Sequence, residues 1–188
     1  MSQYVAGDKW YISLLGTSAE TEMAGVVESL DTCNLGKLDK TIRVVERTVR
    51  RIESIDEFFD GEVPDKVFFQ TPTAFKSGGA YQILPTQKLL LQSLISKWNS
   101  ALGDICPIED AGDGVDALAQ GLVYRAMRLD SAGYSVKKIV VPGAIGNISV
   151  KIQSEGFSRQ LIGALLHFGC YSGVGIKTTL GMGGFAVE

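Results

Sequence analysis

From Val67 onward, segments with strand character and segments with helical spacing follow one another in the order β-α-β-β-α-β. "DKVFFQTPTAF" reads as a strand stopped near Pro72, because proline lacks the amide that a ladder needs. "TQKLLLQSLISKWNSAL" begins just after Pro85 with apolar residues at helical spacing. "GLVYRAMRLD", "SVKKIVVPG" and "GNISVKIQS" offer strands separated by glycine turns, "SRQLIGALLHFGCYSG" a second helix, and "GGFAVE" a last strand. This order predicts an α+β chain with a ferredoxin-like, RRM-like domain, an antiparallel sheet with two helices on one face.

The first 60 residues supply too few elements for a second copy. "KWYISLLG" has the aromatic and β-branched content of a strand ending at Gly16, and "TSAETEMAGVVESLDTC" places Met23, Val26, Val27 and Leu30 on one helical face. "NLGKLDK" reads as a turn. "TIRVVERTVRRIESI" alternates as a long or bent half-buried strand would, with a helix as the open alternative. The expected organisation is a partial N-terminal α+β lobe over 1–62, packed on a ferredoxin-like domain over 63–188 that ends in a glycine-rich loop.

With 188 residues and 45% hydrophobic content, the chain can bury a substantial core. No window approaches the roughly 18 apolar residues of a membrane span, and "MSQYVAGDKW" lacks signal-peptide order. An intracellular, cytoplasmic protein without a membrane partner is expected. Cys33, Cys106 and Cys170 are odd in number and widely spaced, which suggests reduced, mostly buried thiols rather than disulfides or a zinc site. A net charge of -3 argues against a generic polyanion binder, although "RVVERTVRR" and "YRAMRLDSAGYSVKK" are locally basic.

"SGVGIKTTLGMGG", residues 172–184, suggests a phosphate site. It fails the Walker pattern, because Ile176 rather than glycine precedes Lys177 and no helix follows. It fails the dinucleotide pattern because Thr178 stands at the third glycine position. Two readings remain from the residues alone. One is a glycine turn into an edge strand. The other is a loop along a nucleic-acid backbone, its exposed amides forming an anion nest and Lys177, Thr178 and Thr179 contacting phosphate or ribose oxygens.

"YSGVGIKTTLGMGGF" closely resembles the C-terminal signature of the CRISPR repeat-processing endoribonucleases, the Cas6-like branch of the RAMP superfamily. In that family a helix runs into a GxGxKTxxGxG-like loop and a final strand. "FFQTPTAFKSGGAYQILPTQKLLLQSLISKWN" resembles the family's strand-TPT-F segment and following helix, and "VPGAIGNISVKI" its glycine hairpin. Weaker similarity reaches "WYISLLGTSAE" and "NLGKLDKTIRVVE". The resemblance implies binding of CRISPR repeat RNA and metal-independent cleavage without a cofactor. In that chemistry a ribose 2′-hydroxyl attacks the adjacent phosphate and leaves a 2′,3′-cyclic phosphate. RNA contacts are expected at Gly173, Gly175, Lys177, Thr178, Thr179, Gly181 and Gly183 and at Arg125, Arg128, Lys137 and Lys138.

Family members commonly carry a catalytic histidine in the N-terminal ferredoxin-like domain, and this sequence departs from that pattern. Its one histidine, His167, lies in "LIGALLHFGC". Such a histidine also fits a structural residue with one satisfied hydrogen bond. The chain is expected to begin partway through the family's N-terminal domain. It is then a non-cleaving RNA binder, a subunit working with another polypeptide that supplies the missing half, or an enzyme with an altered site drawn from His167, Lys177, Tyr171 and Lys76. The alternative function is a protein-interaction module docking on another CRISPR-associated protein.

Arg43, Arg47, Arg50 and Arg51 suit an RNA path or, with Glu46 and Glu53, an ion-paired face. Tyr81, Tyr124 and Tyr134 suit base stacking or half-buried packing.

Overall fold

The computed structural model describes residues 9–34, 41–109, 112–136 and 139–188. The chain divides into two compact units, Met1–Val49 and Arg50–Glu188. In the first unit, helix α1 (Thr17–Glu28) precedes an antiparallel pair of short strands, β1 (Thr32–Asn34) and β2 (Thr41–Arg43). The ladder closes where the Val44 amide donates to the Asp31 carbonyl at 2.9 Å. Two expectations fail here. No strand forms over 9–16, where Tyr11 and Ile12 are exposed, and the long strand expected over 41–55 stops at Arg43. Strand propensity needs a ladder partner to be realised, and three-residue strands are all that the described part of this unit offers. The turn expected at "NLGKLDK" falls on 35–40, outside the described residues.

The second unit contains α2 (Asp56–Phe59), β3 (Lys66–Thr73), β4 (Phe75–Ser77), β5 (Ala80–Gln82), α3 (Gln87–Leu102), α4 (Gly112–Gly121), β6 (Leu122–Val136), β7 (Ile139–Ile152), α5 (Gly156–Ser172) and β8 (Phe185–Val187). Its main sheet has the order β6-β7-β3-β8 and is antiparallel throughout. With α3 and α5 as the crossovers, this is the ferredoxin-like arrangement expected from the sequence. Thr86 caps α3, its Oγ1 accepting from the Leu89 amide at 3.2 Å, just after the proline that bars an earlier start.

Val67 and Phe69 of β3, Ile148, Val150 and Ile152 of β7, and Phe185 of β8 are buried with Leu90, Leu94, Ile95 and Trp98 of α3 and Ile162, Leu165 and Phe168 of α5. Alternation along the strands places Asn147, Ser149 and Lys151 of β7 on the opposite face of the sheet, together with Phe68 of β3 and Ala186 of β8.

The three strand segments expected between Gly121 and Ser154 are two long strands instead. Gly143 and Gly146 lie within β7, where they permit close approach rather than turning the chain. A Cβ at Gly143 would stand 2.7 Å from the Thr73 amide nitrogen, and one at Gly146 2.1 Å from the Arg128 carbonyl oxygen. The pair Gly78-Gly79 turns the β4–β5 hairpin, a signal the sequence reading passed over. The thiols also differ from expectation: all three are free, but Cys33 and Cys106 are half-buried and Cys170 is exposed. Among the described residues, no helix is long and apolar enough to cross a membrane.

Candidate nucleic-acid interface

Helix α5 ends at Ser172, and the chain then folds into a loop held by its own backbone and by β3 and α3. Gly173 leaves the helix at φ 64° while its amide donates to Gly169. The Val174 amide donates to the Gly183 carbonyl at 2.9 Å, drawing the two ends of the loop together. A short 3₁₀ turn, Thr178–Leu180, forms the far end, entered through Lys177 at φ 54° and left through Gly181 at φ 92°. Beneath it Met182, Ala74 and Val141 form a small buried cluster, flanked by Ile176 and Tyr134.

The loop is seated on the TPT segment of β3. Ile176 donates to the Ala74 carbonyl at 2.9 Å and Gly183 to the Pro72 carbonyl at 3.1 Å, while Thr71 Oγ1 accepts from the Gly184 amide at 2.7 Å. Pro72 sits where the β3–β7 register shifts between Phe69 and Thr73, so the irregular strand turns its carbonyls to the loop instead of to a ladder. The two most specific sequence motifs thus form one structural unit.

Helix α3 grips the same loop with two residues one turn apart. Ser93 Oγ accepts from the Gly175 amide at 2.8 Å, and Lys97 Nζ donates to Thr178 Oγ1 at 2.8 Å. Burial pushes the Lys97 ammonium below the ordinary lysine range. Neither residue stands among the site candidates expected from the sequence, although both lie in the helix segment "LLLQSLISKWN" that carries the family resemblance.

Most loop amides are thereby consumed. Those of Lys177, Thr178 and Thr179 make no hydrogen bond among the described residues. A left-handed residue followed by a right-handed turn converges successive amides into an anion-binding concavity, and these three occupy that place. Open amides, expected across the loop, are therefore confined among the described residues to its far end. Gly173, Gly175, Gly181 and Gly183 shape the loop and give it positive-φ corners.

Tyr134 joins the loop from β6, its hydroxyl donating to the Leu180 carbonyl. Its ring packs beside the Ala74–Val141–Met182 cluster, so it serves as an anchor. Tyr134→Phe should cost about 1 kcal/mol in urea unfolding through loss of that hydrogen bond. An unchanged midpoint would remove Tyr134 from the loop's support.

The other residues marked in the sequence are dispersed. Leu122, Tyr124 and Met127 pair across the ladder with Ile152, Val150 and Ile148 on the helix-covered face, whereas Arg128 pairs with Asn147 on the opposite face. Arg125 lies in the irregularity between Tyr124 and Ala126, and both arginines are exposed. Lys137 and Lys138 lie outside the described residues. Tyr81 is exposed; Tyr124 has a buried hydroxyl without a partner among the described residues, and burial raises its pKa. In the first unit Arg43 is exposed, and Arg47 donates to the Leu30 carbonyl at 2.7 Å. Lys76 is exposed on the β4–β5 hairpin.

His167 and Tyr171 lie one turn apart on α5 and face the segment carrying α2 rather than the loop. His167 Nε2 donates to the Glu62 carbonyl at 2.8 Å, with Gly61 packed against the ring. The cleft beside it, about 420 Å³, includes Glu62, Asp65 and Glu188 in its lining, an unfavourable charge for a phosphodiester. Tyr171 packs edge-on against Phe58, with the Arg50 guanidinium 5.9 Å from its ring centroid. Burial raises the Tyr171 pKa, outweighing the opposing pull of Arg50. Among the described residues no hydrogen bond or ring contact joins either group to Lys177, so the three catalytic candidates are not brought together into one constellation.

The CRISPR-associated endoribonuclease Cas6 family matches residues 67–185, from the start of β3 to the start of β8. A CRISPR-associated endoribonuclease Cas6 of Streptococcus thermophilus is 31% identical over 184 residues, covering 96% of this chain and 75% of that protein. Its counterpart in Mycobacterium tuberculosis (strain CDC 1551 / Oshkosh) is 37% identical over 124 residues, covering 65% of this chain and 38% of that protein. A solved Cas6 product complex shares the fold with a TM-score of 0.74 at 21% identity, over 92% of this chain and 74% of that one. The matched region contains the TPT segment, the gripping helix and the glycine loop together, and this chain belongs to the CRISPR-associated endoribonuclease Cas6 family.

Proposed function

We propose that this chain binds CRISPR repeat RNA through its glycine loop and takes part in processing the precursor of CRISPR RNA, in the cytoplasm. The observation that carries this reading is the state of Lys177. It is the only non-glycine residue with positive φ among the described residues, and it opens a run of three unengaged amides. A side chain held in the left-handed region costs roughly 1–2 kcal/mol, and such strain is characteristic of ligand sites. A lysine there sets a cation beside converging N–H donors, which suits a phosphate of an RNA backbone.

Cleavage by the 2′-hydroxyl needs a base, an acid and a cation near the scissile phosphate. In this reading Lys177 supplies cationic stabilisation, while His167 and Tyr171 support the α5–α2 packing. The alternative of a protein-interaction module is not favoured by the family assignment.

The test is incubation with labelled repeat RNA in EDTA, with a substrate carrying deoxyribose at the cleavage position as control. Cutting of the ribose substrate alone, with a cyclic-phosphate end, is the outcome expected of the active assembly. Lys177→Ala should weaken RNA binding roughly tenfold and flatten the log–log salt dependence by about 0.7, the value for one single-strand phosphate contact. Lys177→Gly should weaken binding equally while raising stability by about 1 kcal/mol, because glycine relieves the left-handed strain. Unaltered RNA affinity in both variants would refute the assignment of the loop to phosphate.

A further inference from the structure

Lys97 is a cation from α3 whose only described polar partner is the Thr178 hydroxyl, 2.8 Å away. It is half-buried, and no carboxylate pairs with it among the described residues. An ammonium group has donors and no acceptor, so Thr178 Oγ1 must accept this bond. A hydroxyl that accepts from lysine keeps its own proton for another acceptor, and Thr178 donates to none among the described residues. Ser93, one turn earlier on α3, fixes Gly175 of the same loop, so helix and loop are held in register at two points.

We propose that Lys97 is a positioning residue that holds the Thr178 hydroxyl as a donor to the same RNA phosphate that the Lys177–Thr179 amides receive. This rests on the RNA-binding reading above and adds to it a specific second cation and a specific hydroxyl orientation. An ammonium half-buried without a carboxylate becomes compensated when the phosphate arrives. Without Lys97 the Thr178 hydroxyl is free to rotate towards a backbone carbonyl, as threonine hydroxyls in turns often do.

The proposal is tested by fluorescence anisotropy with labelled single-stranded repeat RNA, using the full chain and its Lys97→Met, Lys97→Arg, Thr178→Val and Lys97→Met/Thr178→Val forms. Lys97→Met is expected to weaken binding roughly tenfold, the size of a lost charge-assisted hydrogen bond. Lys97→Arg should recover most of that loss, which mere packing by the side-chain stem would not require. Thr178→Val should lose a similar factor, and the double variant should lose much less than the product of the two. Thermal unfolding checks each variant, and Thr178→Val carries the test should Lys97→Met fail to fold. Wild-type affinity in Lys97→Met or Thr178→Val overturns this proposal alone. Full multiplicativity of the two losses overturns it as well. Absence of RNA binding by the unaltered chain overturns the underlying reading together with it.

Discussion

Gly183→Ala is expected to destabilise the second unit by about 3–5 kcal/mol and to abolish RNA binding at temperatures where the parent is fully folded. Gly183 has φ 69°, and a Cβ placed there would stand 1.9 Å from the Val174 carbonyl oxygen. That obstacle is backbone, so no rotamer change relieves it. The chain must move where the Val174 amide meets the Gly183 carbonyl at 2.9 Å and the Gly183 amide meets Pro72 at 3.1 Å. Each weakened hydrogen bond costs about 1 kcal/mol, added to the roughly 1–2 kcal/mol of left-handed strain. Gly163 is the control. It is helical, and a Cβ there meets nothing within 4 Å, so Gly163→Ala should be neutral or stabilising by up to about 1 kcal/mol. Urea unfolding decides the matter, and equal midpoints for Gly183→Ala and the parent would show that the loop closure described here is wrong.

The second large effect is expected at Trp98. Its side chain is fully buried and meets Phe168, Phe58 and Phe59 edge-on at centroid distances of 5.1, 5.7 and 6.2 Å. Its indole N–H donates to the Cys106 carbonyl at 2.7 Å, tying down the segment after α3. Trp98→Ala should therefore cost about 3–5 kcal/mol, a large part of a typical domain's stability. Trp98→Phe retains most of the buried ring surface but leaves the Cys106 carbonyl without its donor, for about 1–3 kcal/mol. Circular dichroism during urea unfolding separates the two. Because α3 also carries Ser93 and Lys97, the larger loss should lower RNA affinity as well. A small effect of Trp98→Ala would mean that the aromatic cluster can collapse around the vacancy.

Much of the second unit was legible because its elements are long and their periods unambiguous. Helices α3 and α5 lie where proline and apolar spacing placed them, and the β-α-β-β-α-β order translates directly into the sheet β6-β7-β3-β8. Legibility fell where local propensity had no partner to realise it. "KWYISLLG" and "TIRVVERTVRRIESI" have strand composition, yet a strand exists only through its neighbour's hydrogen bonds, and those are made over Thr32–Asn34 and Thr41–Arg43 alone. The glycines of β7 misled for a related reason: a missing Cβ serves a turn and a close backbone approach equally well, and only the neighbour distinguishes them.

The candidate site divides in the same way. Its motif, its lysine and its family resemblance are properties of the linear chain, because residue types at fixed spacing can be recognised without coordinates. Which amides remain open is not such a property. That depends on Thr71, Ser93 and Lys97, which meet the loop across 113, 82 and 81 positions of sequence. Sequence by itself determined the order of the long elements of the second unit, through periodicity, and the identity of the loop, through its motif. Only the tertiary structure decided that β3, α3 and the loop's own carbonyls take up the other loop amides while those of Lys177–Thr179 remain open, because hydrogen-bond satisfaction is settled by which groups meet in space.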